Sequence, residues 1–486
     1  MRILLVSHDF LPGHPSGTEI YTYQLGLKLL ERGHDVHVFT TEKDVSRPNL
    51  SVRLRHYGGL PVHELFNNLF YQDFQETWDC PPAARTFGLF LDDLKPDVVH
   101  FMHLMYLSVG CAEEVHKRGI GIVFTLHDYW LQCARFGQRI HADGSICHDI
   151  DFERCGGCLE SFKYGQTRVE RVTAKALAAV RSVTGVDLAP SAKRAADNLR
   201  KRKQAPESET ELHLPTGRRD EDAPPAPPSS PRAQKLAETV RFRDQDLRER
   251  LLPVVHRFVA PSRFLRDRFV EWGIPAEQIL FNRAGIDVAP FQGFEKTRAD
   301  SLRIAYIGTL APHKGVHILL SAWSQVAPEL RAQGELVVYG PHAHYPAYLH
   351  QLESLAAESG ARMGGGLDPE GVRRALRDID LLIVPSVWYE NSPLIILEAL
   401  ATRTPLAVSE LGGMAELVEP GISGFHFPVG RPEALAELLS GLLQDPTPLS
   451  ELYPGELPVK SIEVDAGELE EIYVQAMRSV EGAAPE

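Results

Sequence analysis

Two glutamates, Glu390 and Glu398, stand on either side of a predicted strand-to-helix turn in the last third of the chain. The apolar run 381–384 predicts a strand buried on both faces, and 394–401 predicts a helix. Ligands bind at the carboxyl ends of strands in open α/β sheets, and the N–H groups of a helix start attract phosphate. Because two carboxylates would repel a phosphate, we expect them to accept hydroxyl groups, as a sugar or a ribose offers. A solvated helix face is the alternative explanation of the spacing.

Three motifs around this turn favour the ligand-binding interpretation. The pattern P-S-x(3)-E-N-S-P-L-x(3)-E-A-L-A begins at Pro385, and G-G-x-x-E and G-x-x-G-F follow it. Together they resemble the carboxyl-terminal domain of family 4 retaining glycosyltransferases, which have the GT-B fold. The resemblance implies that Glu390 contacts hydroxyls of the donor sugar and that Glu398 contacts the nucleotide ribose. It covers residues 1 to about 480, apart from an insert.

The same resemblance assigns the other predicted site residues. Lys314 gives a point charge to the donor diphosphate, and His127, at the end of a predicted strand, faces the donor sugar. Lys314, Glu390 and His127 are the predicted catalytic residues. Many members of the family have an arginine directly after a strand glycine, where this chain has Thr309. The remaining predicted donor contacts lie in the first loop, at strand ends and at the helix start: Gly17, Gly308, Leu367, Asn391, Ser392, Pro393 and Leu394.

Strands and helices alternate along the chain, which predicts an α/β protein with doubly wound parallel sheets. The first loop lacks the G-x-G-x-x-G of dinucleotide-binding enzymes. Residues 1–285 are expected to form an acceptor-side Rossmann-like domain, with a strand near 257–261 as its last. Residues 286–465 are expected to bind the nucleotide-sugar, and residues 466–486 to form a helix that crosses back to the first domain, followed by a tail.

Four of the six cysteines fall within 26 residues, in a segment that spans about 130–160. Two thiolates in C-G-G-C can converge on one ion, and two further thiolates complete a tetrahedral zinc site. Unligated or redox-active thiols are the alternative. His141 and His148 are candidate replacements for a cysteine ligand. The predicted zinc ligands are Cys133, Cys147, Cys155 and Cys158.

The composition of the chain limits which classes of partner, such as nucleic acids and membranes, the protein can bind. The net charge of −14 argues against a general nucleic-acid binder. No apolar run is long enough to span a membrane, and the first strand is too short for a signal-peptide core, so we expect a cytoplasmic protein. The basic stretch 193–203 favours either peripheral contact with an anionic membrane or a solvated face beside an acidic run. The polar, proline-rich stretch of about 204–232 predicts a disordered insert.

The resemblance to family 4 implies a retaining, metal-independent glycosyltransferase that needs no cofactor for catalysis. Its donor is a UDP-, GDP- or ADP-sugar, and its acceptor is a hydroxyl of a glycan, a lipid-linked molecule or a small molecule. The sequence offers no obvious nucleophile, which fits a reaction in which the leaving phosphate deprotonates the acceptor. The alternatives are an epimerase or phosphorylase of the same fold, and a nucleotide-sugar-binding subunit with little catalysis.

Overall fold

The computed structural model describes residues 1–160, 162–185, 214, 230–297, 299–341, 345–453 and 459–481. Two parallel sheets, each covered by helices, account for most of them. The predicted insert lies outside the described residues except for Leu214 and residues 230–232, and so does the basic stretch 193–203. None of the described helices is long and apolar enough to cross a membrane.

The first sheet has eight strands in the order β3-β4-β2-β1-β5-β6-β7-β8, and every neighbouring pair is parallel except β3 with β4. Central strands such as β5 and β6 are buried along their whole length, as expected for strands covered on both faces. The bounds of the eight strands are as follows: β1 Arg2–Val6, β2 Asp35–Glu42, β3 Val52–Tyr57, β4 Leu60–Phe66, β5 Val98–Phe101, β6 Gly121–Thr125, β7 Arg257–Ala260 and β8 Ile279–Phe281.

Seven helices accompany this sheet within the described residues. Ser230 caps the sixth, because its hydroxyl accepts the N–H of Ala233 at 3.0 Å, and the proline that follows suits a first helical turn. The helix therefore begins inside the stretch predicted to be disordered, and that prediction is wrong for residues 231 and 232. The helices are α1 Gly17–Glu31, α2 Pro81–Leu94, α3 Gly110–His116, α4 Phe152–Glu160, α5 Arg168–Thr184, α6 Pro231–Leu251 and α7 Arg263–Trp272.

The second sheet has six parallel strands in the order β11-β10-β9-β12-β13-β14. The reversal of strand order lies between β9 and β12, which is where open sheets of this type bind ligands. The strands are β9 Leu302–Ile307, β10 Gly334–Tyr339, β11 Arg362–Gly365, β12 Leu381–Val384, β13 Leu406–Ser409 and β14 Gly424–Phe427. The helices are α8 Val316–Gln325, α9 Pro328–Arg331, α10 Pro346–Ser359, α11 Pro369–Asp378, α12 Leu394–Ala401, α13 Gly412–Leu417, α14 Pro432–Gln444 and α15 Thr447–Glu451.

The last helix, α16 (Ile462–Glu481), returns to the first sheet, as the sequence predicts. Tyr473 lies against His100, with its hydroxyl 2.7 Å from the Nδ1 atom. Tyr21 donates a hydrogen bond of 2.8 Å to Asp465, and Arg32 pairs with Glu470 at 2.6 Å. Buried polar contacts and an exposed ion pair therefore fix the helix against both α1 and the central strands.

Three strands differ from the sequence-based expectation. The hairpin strand β4 and the short strand β14 are additional, and β8 follows β7, so the prediction that the strand near 257–261 is the last of its domain is wrong. With only three residues, β8 gives too short an apolar run to signal a strand. The chain leaves the first sheet at Phe281 and enters the second at Leu302, and the domain boundaries themselves stay predictions.

Candidate active site

Lys314 and Glu390 form an ion pair at the carboxyl edge of the second sheet. The Lys314 Nζ atom lies 2.6 Å from Glu390 Oε1, and the Ser386 hydroxyl donates to the same oxygen at 2.9 Å. Burial alone would raise the pKa of Glu390, but the charge and hydrogen bond of Lys314 outweigh burial and hold the pKa below its ordinary value. The site therefore contains one fixed positive and one fixed negative charge side by side.

Gly315 allows the loop that carries Lys314 to lie close to the loop that carries Glu390. Gly315 has φ 71°, and a Cβ atom there would lie 1.8 Å from the carbonyl oxygen of Pro385. Only glycine adopts this conformation without strain and leaves that space free. The loop that carries Lys314 can consequently pack directly on the loop that carries Glu390.

Glu398 lies at the start of the second turn of α12, eight residues after Glu390. Its side chain is largely buried, and burial raises its pKa to about 7. No charged neighbour contributes to that shift, in contrast to Glu390. A carboxyl group that titrates near neutrality both donates and accepts hydrogen bonds, which matches the hydroxyl pair of a ribose.

The start of α12 presents polar groups toward the first sheet. The Asn391 side chain donates a hydrogen bond of 2.8 Å to the carbonyl oxygen of His127. Asn391 Oδ1 and Ser392 Oγ are buried and have no hydrogen-bond partner within the described part of the chain. Pro393 is the N-cap of the helix, and the first turn from Leu394 leaves N–H groups without intrahelical acceptors. A bound anion or sugar would satisfy these groups.

The predicted residues at neighbouring strand ends lie along the same sheet edge. The N–H of Gly308 donates to Tyr339 at 3.1 Å, and a Cβ atom on Gly340 would lie 2.2 Å from the Gly308 carbonyl oxygen. Thr309 is exposed, and its carbonyl accepts a hydrogen bond from the Tyr306 hydroxyl at 2.9 Å. Leu367 follows β11 at the far side of this edge and is partly exposed.

The opposite wall consists of Gly17 and His127. A Cβ atom on Gly17 would lie 4.0 Å from Leu394 Cγ, so the start of α1 faces the start of α12. The His127 ring packs edge-on against Tyr21, with centroids 5.4 Å apart, and its Nε2 atom is buried without a described partner. Burial and the neighbouring His103 lower the pKa of His127 to about 4, so the imidazole is neutral near pH 7.

Tyr389, which sequence reasoning missed, connects the two walls. Its hydroxyl is hydrogen-bonded to His148 of the cysteine segment, and its ring stacks on Phe264 with centroids 5.1 Å apart. The Tyr129 ring lies 5.7 Å from it. Nearby, Glu416 accepts a hydrogen bond of 2.9 Å from the N–H of Arg263 at the start of α7. An aromatic residue next to the first glutamate is the signal that sequence analysis could have used.

A polar group also lies on the first sheet: His8, Asp9 and His103, which sequence reasoning missed, follow strand ends together with Asp128, the residue after His127. The N–H of Met105 donates to His103 Nδ1 at 2.9 Å, so the Nε2 atom of His103 carries the proton and donates to Asp128 at 3.1 Å. These side chains come from the loops after β1, β5 and β6. Polar residues directly after three parallel strands were the available signal.

The four predicted zinc ligands are neighbours. Burial raises the pKa of Cys155, and the thiols of Cys147, Cys133 and Cys158 raise it further. The Cys158 Sγ atom lies 3.5 Å from His141 Nδ1. Across the described ranges, however, no three His, Cys, Asp or Glu side chains converge closely enough to hold a metal ion, and all six cysteines are free thiols. The zinc site stays a prediction.

Two Rossmann-like sheets that face each other across a ligand-binding edge define the GT-B fold. Sucrose-phosphate synthase from Thermosynechococcus elongatus superimposes with a TM-score of 0.60 and 17% identity, over 98% of this chain and 99% of that one. The Anabaena protein Alr3699/HepE, solved with UDP and glucose, superimposes with a TM-score of 0.55 and 15% identity, over 99% and 98% of the two chains. At these identities the likeness supports the fold alone.

Family models then identify the class. Residues 15–183 match the model described as Glycosyltransferase Family 4, and residues 301–445 match the model described as Glycosyl transferases group 1. The chain therefore belongs to the GT-B glycosyltransferases of the family 4 type. Lipopolysaccharide 1,2-N-acetylglucosaminetransferase of Salmonella typhimurium is 30% identical over 188 residues, which are 35% of this chain and 48% of the relative. The chain spans about half the length of the first curated relatives that it matches.

Proposed function

We propose that this protein transfers a sugar from a nucleotide-sugar to an acceptor hydroxyl with retention of the anomeric configuration and without a catalytic metal. One observation carries the proposal: the Lys314–Glu390 ion pair lies beside the start of α12, opposite Gly17 and His127. The cation and the helix start suit a diphosphate, while the carboxylate and the neutral imidazole suit sugar hydroxyls. The cytoplasmic location and the contact with an anionic membrane stay predictions.

Each side chain has a distinct task in the proposed reaction. As the bond between the anomeric carbon and the phosphate oxygen breaks, Lys314 and the N–H groups of α12 stabilise the charge on the leaving diphosphate. Glu390 accepts donor-sugar hydroxyls, and His127 donates a hydrogen bond to one of them. The acceptor oxygen forms the new bond on the same face, and its proton passes to the leaving phosphate. Glu398 holds the ribose before and after transfer.

Asp378 and Asp380 form an Asp-x-Asp pattern, the pattern with which metal-dependent glycosyltransferases of another fold hold manganese. In this protein both side chains bind protein groups. Asp380 is bound by Arg303 at 2.7 and 2.9 Å, and Asp378 accepts a hydrogen bond of 3.0 Å from Thr297. Both aspartates therefore tie the approach to β9 and β12 together. These contacts support a structural role for Asp378 and Asp380.

The test is a screen of radiolabelled UDP-, GDP- and ADP-sugars with and without simple glycoside acceptors. We expect tight binding of one donor class, slow hydrolysis of that donor without acceptor, and a product whose anomeric configuration equals that of the donor by NMR. Tight binding without hydrolysis or transfer would instead indicate a nucleotide-sugar-binding subunit. Conversion of the donor to an epimer, or dependence of turnover on inorganic phosphate, would indicate the epimerase or phosphorylase.

A further inference from the structure

Lys314 alone leaves the proposed donor site with little net positive charge. Its Nζ atom is paired with Glu390 at 2.6 Å, so the two charges offset each other before a ligand binds. Thr309, in the loop after β9, adds no charge, and the start of α12 adds only a partial one. Each phosphate of a nucleoside diphosphate is negative, and cationic side chains are the partners that phosphates prefer. A second cation is therefore expected near Lys314.

The cysteine segment of the first domain reaches the loop that carries Glu390. His148 is hydrogen-bonded to the Tyr389 hydroxyl, and the two rings stack with centroids 6.1 Å apart. Arg139 holds His148 in place, because its guanidinium donates to the carbonyl oxygens of His148 and Cys147, the latter at 3.0 Å. The segment consequently lies against the second domain beside the Lys314–Glu390 pair.

A turn of fixed conformation within this segment carries Arg135. The N–H of Gly137 closes the turn with a hydrogen bond of 3.1 Å to the Cys133 carbonyl oxygen. Phe136 has φ 50°, a left-handed conformation that is uncommon outside glycine and clusters at ligand sites. Its ring packs edge-on against Phe162, with centroids 4.8 Å apart, which holds the strained residue in place. The turn therefore limits the directions that the Arg135 side chain can take.

Arg135 has no carboxylate partner among the described residues. Its hydrogen bond to the Ile140 carbonyl oxygen is 3.4 Å long, near the upper limit for such a bond. Its charge acts instead on the second domain, because burial, Lys314 and Arg135 together lower the pKa of His313 to about 3. The neutral His313 ring lies 4.7 Å from the Trp388 ring, on the loop that carries Lys314. Two cations, one from each domain, thus lie near the same imidazole.

We propose that Arg135 is the second cation of the donor site and binds the diphosphate from the first domain, across the cleft from Lys314. The inference rests on the proposed function, since it adds a residue to the same site. The planar guanidinium offers paired N–H groups to phosphate oxygens, whereas Lys314 offers a point charge that it shares with Glu390. Because the diphosphate is present before and after transfer, Arg135 strengthens the binding of the released nucleoside diphosphate as well as that of the donor.

The experiment measures binding to the full-length protein without turnover. UDP, GDP and ADP are titrated by calorimetry, and the nucleoside of the diphosphate that binds most tightly is titrated by ligand-observed NMR. Arg135→Gln removes the charge and keeps an N–H donor for Ile140. It should weaken diphosphate binding about tenfold or more, the loss expected for one charge-assisted contact, and leave nucleoside affinity within about twofold. Arg135→Lys keeps the charge and should bind the diphosphate within about threefold of the original protein.

Arg362→Ala is the matched control, because Arg362 is an exposed arginine that begins β11, at the amino edge of the second sheet and opposite the donor site. It should leave both affinities unchanged. Unchanged diphosphate affinity in Arg135→Gln overturns the inference. An equal loss of diphosphate and nucleoside affinity also overturns it, because Arg135 would then only support the fold of the segment. Failure of all three diphosphates to bind the original protein contradicts the proposed function instead, so the two are separable.

Discussion

At the scale of single residues, Lys314 and Glu390 are the pair on which the proposed chemistry depends. Lys314→Ala removes a charge-assisted bond worth about 1.5–3 kcal/mol, which predicts a ten- to hundredfold loss of kcat at saturating donor. The affinity for the donor should change less, because the diphosphate gains most of its charge during bond breaking. Glu390→Gln should also lower kcat, since an amide accepts sugar hydroxyls less strongly than a carboxylate.

Arg374→Ala provides the control for charge alone, because Arg374 is an exposed cation on α11. It should change kcat by less than twofold. Steady-state kinetics of transfer would contradict the assignment if Lys314→Ala and Glu390→Gln kept full activity, and the active site would then lie elsewhere in the fold.

Glu398 should respond to pH in a different way. Burial raises its pKa to about 7, so the folded protein holds a proton between about pH 4.5 and 7 that the unfolded chain has already released. Stability therefore falls as pH rises through this window, by an amount on the order of 3 kcal/mol at full burial. Glu398→Gln removes this penalty, so its gain in unfolding free energy should be larger at pH 8 than at pH 5.

The same variant should bind the nucleoside diphosphate of its donor more weakly, because ribose is held equally before and after transfer. Chemical unfolding at the two pH values and titration with the nucleoside diphosphate that the donor screen identifies check both expectations. Equal stability changes at pH 5 and pH 8 would show that Glu398 is already ionised without cost, and the sequence-based role at the ribose would lose its physical support.

The sequence predicted the positions of the candidate site residues along the chain, but it did not predict the contacts that hold them. Glu390 and the start of α12 lie in one continuous motif, and Lys314 lies at the end of the loop that follows β9, so their types and spacing carry the signal. Tyr389 is in the same motif, yet its partners Phe264 and His148 come from segments more than a hundred residues away. Such pairings depend on how the two sheets face each other, which no local pattern encodes.

At the scale of elements, short strands and the cysteine segment marked the limits of sequence reasoning. Strands β12 and β13 are continuous apolar runs bounded by Pro, Ser and Gly, and their bounds were predicted correctly. Strand β14 is only four residues long and contains His426, so its pattern does not stand out from a loop. The four cysteines were expected to meet in one site. The structure places them near one another, but no three of them converge closely enough to hold a metal ion.

The cysteine segment yields an element-scale prediction. If it binds zinc, purified protein should contain about one zinc per chain. A chelator should then lower the melting temperature and expose residues 130–160 to proteolysis, because structural zinc contributes roughly 10–16 kcal/mol to the folding free energy of isolated peptides. Cys155→Ser should then be poorly soluble. Cys80 is the N-cap residue of α2 and lies outside the cysteine segment, so the Cys80→Ala variant should retain its zinc. Metal-free protein with an unchanged melting temperature would indicate unligated thiols.

At the scale of the whole molecule, the cleft is held from both ends. At one end, helix α16 follows the second sheet along the chain and packs on the first sheet. The two segments that connect the sheets also meet there, because a Cβ atom on Gly285 would lie 2.5 Å from the Ser461 carbonyl oxygen. At the opposite end, Tyr389 stacks on Phe264 and Asn391 donates a hydrogen bond to the His127 carbonyl oxygen, so both contact the first domain directly. The two sheets therefore present their carboxyl edges to each other, which places the start of α12 opposite the start of α1 and His127.

The last prediction concerns this second connection. Tyr389→Phe keeps the ring that stacks on Phe264 and removes only the hydroxyl that bonds His148, a loss of about 0.5–1.5 kcal/mol. Because Glu390 is the next residue, a looser loop should raise the donor KM and lower kcat/KM by up to about tenfold while the Lys314–Glu390 pair itself remains. Hydrogen exchange should increase at residues 386–391 and at the cysteine segment together, since the bond joins them. Tyr345→Phe, a change of the same chemistry at an exposed tyrosine, should leave kinetics and exchange unaltered. Faster exchange in only one of the two segments, or unchanged kcat/KM in Tyr389→Phe, would show that the two halves of the cleft are not coupled through this hydroxyl.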